Sequence, residues 1–114
     1  MAKKIDWLYE RKGCTTCKKA MAFLDGAAVK IGEVVIANKQ KYGPEDALEL
    51  TKKVSKVVAM KGKKLEVLPL KTTDEETLLA HLIGPTGNLR APTAIVGKTM
   101  YVGFNEEGYG EITG

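Results

Sequence analysis

Two cysteines three positions apart, in Cys14-Thr15-Thr16-Cys17, are the only thiols in the 114-residue chain. At the start of a helix, that spacing holds two sulfurs close enough to form and break one bond without unfolding the chain. The chemistry it points to is thiol–disulfide exchange, in which the thiolate is the nucleophile. A cysteine of pKa near ~8.5 is only ~3% ionised at pH 7, whereas one shifted to about 6 is ~90% ionised. Local charge therefore decides whether the pair is useful. Cys14 falls at the positive end of a helix, where unpaired amides favour an anion. Arg11, Lys12, Lys18 and Lys19 add positive charge nearby. Cys17, one turn into the helix, is expected to be more buried and less acidic. Cys14 is accordingly assigned as nucleophile and Cys17 as resolving thiol. A single C-x-x-C cannot complete a four-cysteine zinc site, so no metal is assigned; a metal reading requires two chains to pool their pairs. The bland alternative is two inert packing cysteines.

The elements that must position this pair follow from the apolar pattern. Residues 5–9 (Ile-Asp-Trp-Leu-Tyr) read as a strand, Arg11-Lys12-Gly13 as a turn, and residues 15–25 as a helix whose Ala20, Phe23 and Leu24 share one face. Residues 29–37, rich in Val and Ile, read as a second strand. Pro44, with Glu45 and Asp46 behind it, opens a second helix. Its face is marked by Ala47, Leu50, Val54 and Val57, it reaches as far as Met60, and the Lys-Gly-Lys-Lys run ends it. Residues 65–70 form either an edge segment or an extended connection, with Pro69 near the end. Thr73 to Glu76 is a capping box for a third helix carrying Leu78, Leu79, Leu82 and Ile83, stopped by Gly84-Pro85. Residues 92–96 and 99–102 form a hairpin about Gly97-Lys98. Asn105-Glu106-Glu107 opens a short last helix in a glycine-rich tail. The expectation is one α/β domain over residues 1–114. Its small mixed sheet has about four strands, built as a parallel crossover followed by a hairpin and flanked by helices.

Composition bounds the partners. The net charge of +4 is nearly all lysine; Arg11 and Arg90 are the only arginines. The lysines are interspersed with acids, apart from Lys61, Lys63 and Lys64, so the concentrated stripe that nucleic acid needs is missing and nucleic acid is not an expected partner. No apolar stretch approaches a membrane span, and the opening Met1-Ala2-Lys3-Lys4 lacks the core of a signal peptide. The expected compartment is the cytoplasm, where a C-x-x-C is catalytic or metal-binding rather than a structural staple. His81, the only histidine, lies beside the Leu78/Leu82 face and reads as structural and partly exposed. Asp6 reads as structural too, being too early in its strand to serve as a proton relay under the dithiol.

The order of elements, with C-x-x-C after the first strand and Ala91-Pro92-Thr93 before the hairpin, resembles the thioredoxin-like fold. Within it the chain is most similar to the arsenate reductase (ArsC) and Spx-like branch. Three stretches carry the likeness: the strand–cysteine–helix opening over residues 7–24, Gly87-Asn88-Leu89-Arg90-Ala91-Pro92-Thr93, and Val102-Gly103-Phe104-Asn105-Glu106-Glu107. The resemblance implies that Pro92 is cis and faces the dithiol, that Ala91 and Pro92 align a substrate chain, and that Arg90 holds an anionic group or stabilises the thiolate. Arg11, beside the cysteine loop, is added to the substrate-binding set without matching a family position. Enzymes that reduce arsenate use one catalytic cysteine and several arginines; here Arg90 alone matches one of those arginines, and a second cysteine is present. The thioredoxin Trp-Cys-Gly-Pro-Cys is absent, and the glutathione clamp of glutaredoxins is only partly matched.

The reading is a thiol–disulfide oxidoreductase with a glutaredoxin-like C-x-x-C, no cofactor, and a protein or small-molecule thiol or disulfide as partner, of the thioredoxin or glutathione system. The alternatives are an Spx-like redox-sensing interaction protein, in which the pair is a switch, or an arsenate reductase-like enzyme.

Overall fold

The computed structural model describes residues 4–11, 15–26, 30–36, 42–61, 64–84 and 87–113. Cys14 and Lys12 lie outside them. The element order is β1 (Lys4–Glu10), α1 (Thr15–Gly26), β2 (Lys30–Ile36), α2 (Pro44–Thr51), β3 (Lys56–Lys61), β4 (Lys64–Pro69), α3 (Glu75–Leu82), β5 (Thr93–Val96), β6 (Thr99–Val102) and α4 (Glu106–Thr113). The strands form one mixed sheet in the order β2-β1-β5-β6-β3-β4. β1 runs parallel to β2 and antiparallel to β5, while β3 runs parallel to β6.

Each face of the sheet buries its own apolar cluster. On one, Tyr9, Val57, Ala59, Met100 and Val102 pack with Ala47 and Leu50 of α2 and Leu78 and Leu82 of α3. On the other, Leu8, Val58, Met60, Ala94 and Tyr101 pack with Ala20 and Leu24 of α1 and Tyr109 of α4. The α1 face expected from spacing is the face that is buried. Asp6 is structural, as expected: its exposed carboxylate accepts the Gly97 amide at 2.7 Å, tying β1 to the β5–β6 turn. Gly97 takes φ 58° there, as a tight hairpin requires.

The middle of the chain departs from the sequence reading. α2 ends at Thr51, and Val54 and Val57 do not continue it. Val57 belongs to β3, which pairs antiparallel with β4 from Lys56↔Pro69 to Lys61↔Lys64. The strands on either side of the lysine run therefore pair with each other where the end of a helix was expected, and among the described residues the sheet has six strands, not about four. The reason lies in Val57-Val58-Ala59-Met60. All four are buried, alternately on the two faces, which is the signature of a central strand covered on both sides. The 3-4-3 spacing of Ala47, Leu50, Val54 and Val57 imitates a helix across two different elements. Residues 65–70 resolve as an edge strand, β4, with Val67 47% exposed.

The cap of α3 also shifts by one residue. Asp74, not Thr73, occupies the N-cap, and Thr77 donates its hydroxyl hydrogen to the Asp74 carboxylate at 2.5 Å. At α4, Asn105 supplies the helix start that its glycines weaken: its side-chain oxygen accepts the Gly108 amide at 2.6 Å. Among the described residues no helix is long and apolar enough to cross a membrane.

Candidate functional site

The site is built at one end of the sheet. β1, β3 and β6 finish there, and β5 begins there. Register decides which residues meet: Tyr9 pairs with Thr93, so Glu10-Arg11 leave the sheet at the same end at which Ala91-Pro92 enter it. The Ala91–Pro92 bond is cis, as the family likeness implies. The loop carrying it is fixed from both sides. The Thr93 hydroxyl donates to the Arg90 carbonyl at 2.6 Å, and the Gly103 amide donates to the Pro92 carbonyl at 2.8 Å.

α1 opens with Thr15, directly after Cys14 in sequence. Cys17 is its third residue and is 3% exposed, so the burial expected of Cys17 is seen. Its sulfur accepts the Arg11 amide at 3.4 Å. Arg11 thus reaches the thiol through its main chain. An amide donor and the unpaired amides of the first helical turn both favour charge on a sulfur placed here. No acid occupies the first turn of α1 to oppose them.

Arg90 stands at the same end of the sheet, but its guanidinium is bound to main-chain carbonyls of α3 and β3. Its Nη1 donates to the His81 carbonyl at 3.3 Å and its Nη2 to the Met60 carbonyl at 3.1 Å. Met60 is on β3, three strand spacings from β1, or roughly 14 Å at ~4.8 Å per strand. Burial of the guanidinium lowers its pKa, though an arginine remains charged. Among the described residues no carboxylate pairs with it. It lines a groove of about 1040 Å³ between β4 and α3, together with Met60, Lys64, Glu66, His81 and Gly84. His81 bridges the two walls of that groove: Nδ1 faces the Thr77 carbonyl at 2.9 Å and Nε2 the Glu66 carboxylate at 2.5 Å. Its ring is partly exposed, and its role is to join α3 to β4. Among the described residues no three His, Cys, Asp or Glu side chains gather as a metal site.

Gly103 makes this end of the sheet close. Its φ is 84°, and a Cβ there would stand 2.3 Å from the Met60 carbonyl oxygen and 3.2 Å from Arg90 Nη2. Only glycine admits both the conformation and the approach.

Two residues of this region escape a reading of motifs. Glu10, the last residue of β1, has one carboxylate oxygen buried without a hydrogen-bond partner. Tyr109, in the glycine-rich tail, is completely buried, and its hydroxyl also has no partner. Desolvation holds its pKa well above the ordinary 10.0, and the charge of Cys17 adds to the effect. A strand-ending carboxylate beside the C-x-x-C was visible for Glu10; nothing in the sequence marks Tyr109.

A search of the curated proteins returned no match. The model of the ArsC family matches residues 9–112, a span that takes in the cysteine pair, the cis-proline loop and nearly all of α4. The chain therefore belongs to the ArsC family, the thioredoxin-like branch of arsenate reductase and Spx type, with the redox or arsenate-reductase type of function that this membership supports.

Proposed function

We propose that the protein is a thiol–disulfide oxidoreductase with Cys14 as nucleophile and Cys17 as resolving thiol. The observation that carries the reading is the setting of Cys17. Its sulfur is buried in the first turn of α1 and accepts a main-chain amide from the turn that leads out of β1. A buried packing cysteine has no need of a donor; a sulfur that must carry charge during exchange does.

The Cys14 thiolate attacks a substrate disulfide, RS–SR′. A Cys14–SR bond forms, the S–S bond breaks, and R′S⁻ leaves to be protonated by solvent. The Cys17 thiolate then attacks Cys14, expelling RS⁻ and leaving a Cys14–Cys17 disulfide. A dithiol of the thioredoxin system, or two molecules of glutathione leaving as their disulfide, restores the pair by two further exchanges. Ala91 and Pro92 wall the substrate approach. Arg90, bound to the His81 and Met60 carbonyls, receives an anionic group on a more distant part of the substrate. The protein works in the cytoplasm, where such reductants are kept reduced. Arsenate is disfavoured as substrate because Arg90 is bound to two carbonyls on the far side of β6 and Arg11 meets Cys17 through its amide.

The test is the pH dependence of alkylation of the reduced protein, with the modified cysteine located by mass spectrometry. Selective reaction at Cys14 with an apparent pKa below about 7 is the expected result. Two slow thiols near ~8.5 would remove the enzyme reading and favour a redox switch of the Spx type.

A further inference from the structure

The groove between β4 and α3 holds a charge that the fold does not neutralise. The Arg90 side chain reaches it through a slot between two glycines: a Cβ on Gly84 would stand 3.5 Å from its Cγ, and one on Gly103 3.2 Å from its Nη2. The His81 and Met60 carbonyls fix the guanidinium there and take two of its five N–H groups. Among the described residues the others meet no acceptor, and no carboxylate pairs with the charge. A half-buried cation has given up part of its hydration, and folded proteins seldom keep one without an anion. Glu66, on the groove wall, is not that anion, because its carboxylate is engaged by His81 Nε2 at 2.5 Å. Lys64, exposed on β4, adds a second cation to the lining. Most of the remaining lining is apolar, with Met60 and Leu65 from the β3–β4 hairpin and Ala80 and Ile83 from α3 and its end.

We propose that this groove binds a carboxylate carried on a short aliphatic group, with Arg90 anchoring the charge and Leu65, Ala80 and Ile83 walling the carbon chain. This deepens the role given to Arg90 above by naming the group it receives. It rests on the oxidoreductase reading only for the origin of the acid, since a free acid and the acidic arm of a disulfide substrate offer the same chemistry.

Charge and shape select this class of ligand. The guanidinium is planar, and its N–H groups form a fork that matches the two oxygens of a carboxylate. Arg90 and Lys64, set against Glu66 and with His81 counted neutral, leave one net positive charge, which balances a monoanion. A dianion such as phosphate would gain less and would meet the Glu66 carboxylate. A small inorganic anion would also leave the apolar walls in water, whereas each buried CH₂ raises affinity roughly fourfold. The groove, at about 1040 Å³, has room for such a chain. The anchor is already set by the glycine slot and the two carbonyls, so binding has little ordering left to do.

The probe is hexanoate, added to the reduced protein. The readout is the arginine Nε–H spectrum in proton–nitrogen NMR, which holds two signals because Arg11 and Arg90 are the only arginines. The Arg90 signal should shift and saturate while that of Arg11 stays still. Hexanamide keeps the chain and loses the charge, and should bind at least ~tenfold more weakly. Inorganic phosphate keeps the charge and loses the chain, and should also be at least ~tenfold weaker. Ala80 is exposed on α3, so its replacement leaves the core intact. Ala80→Glu should weaken hexanoate roughly tenfold, and Ala80→Gln, of the same size, less than about threefold. The proposal is overturned by the lack of a saturable Arg90 shift, by a larger shift at Arg11, by equal binding of hexanamide or phosphate, or by equal effects of the two Ala80 variants. None of these readings needs turnover, so inert thiols would remove the oxidoreductase reading and leave the site standing. Competition assigns the origin of the acid. Hexanoate that raises KM for dithiodipropionate and not for hydroxyethyl disulfide makes the groove part of the substrate site; hexanoate that binds and changes neither KM makes it a site for a free acid.

Discussion

The amide of Arg11 lies 3.4 Å from the sulfur of Cys17, across the gap between the end of β1 and the first turn of α1. The contact couples the strand that carries the cysteine loop to the helix that follows it. It depends on the main chain, so the identity of residue 11 matters less to this bond than the path of the turn. Arg11→Ala should keep it and lower only the local positive field. The expected outcome is a less than threefold change in Cys14 alkylation at physiological salt, where exposed charges are largely screened.

The division of labour proposed for the two thiols predicts two unlike variants. Cys14→Ser should abolish disulfide reduction. Cys17→Ser should still form a mixed disulfide at Cys14 but fail to resolve it, with turnover down at least ~100-fold. Intact-mass spectrometry after exposure to oxidised glutathione checks both. A Cys17→Ser protein that turns over normally would place the resolving thiol on the substrate instead.

Gly103→Ala should be among the most damaging single changes in the protein. Its Cβ must displace the Met60 carbonyl, with φ at 84°, for a loss of roughly 3–5 kcal/mol. Gly97→Ala offers the control, since nothing lies within 4 Å of its Cβ and only the positive φ opposes it, at about 1 kcal/mol. Urea unfolding of the two variants gives the comparison directly.

Arg90→Lys tests the clasp over the sheet end. A lysine cannot span the His81 and Met60 carbonyls as the guanidinium fork does. Losing these charge-assisted bonds should cost about 1.5–3 kcal/mol of stability. KM for acidic disulfide substrates should rise, with little change for neutral ones. Equal effects on both would give Arg90 a purely structural role.

One carboxylate has a readable pH signature. The Thr77 hydroxyl holds the Asp74 pKa below its ordinary 3.8. Since the folded value is the lower one, the bond supports folding above the ordinary carboxylate pKa, and that support drains away as pH falls through the folded value. Thr77→Val should return Asp74 upward and flatten this part of the acid limb. Carbon-detected NMR titration of Asp74 in the two proteins reads the shift.

Much of the outer frame was legible from local pattern. β1, α1, β2 and the β5–β6 hairpin each rest on nearby residues: an alternating strand, a 3-4 helical face, Gly97 at a tight turn. The β3–β4 hairpin was not, because Val54 and Val57 fall by chance on the phase of α2, and only the unbroken run of four apolar residues betrays a two-sided strand. The cap of α3 slipped because Thr73 and Asp74 are both good N-caps, and the Thr77 hydroxyl settles between them. At the site, the cysteine pair and the cis-proline loop carry recognisable spacing. The direction taken by Arg90 and the burial of Tyr109 depend on contacts with Met60 and Phe104, which no local pattern encodes.

The pairing of Tyr9 with Thr93 joins nearly opposite ends of the chain, and it sets the end of β1 beside the start of β5, directly after the cis proline. Such a contact closes a large loop and comes late in folding, after the local helices and hairpins. A newly made chain therefore carries its thiols for some time before their surroundings exist. With only two cysteines, no mispaired bridge can form within one molecule. The error open to it is a bond between two chains, so refolding yield should fall with protein concentration under oxidising conditions and become insensitive to it once a reductant is present.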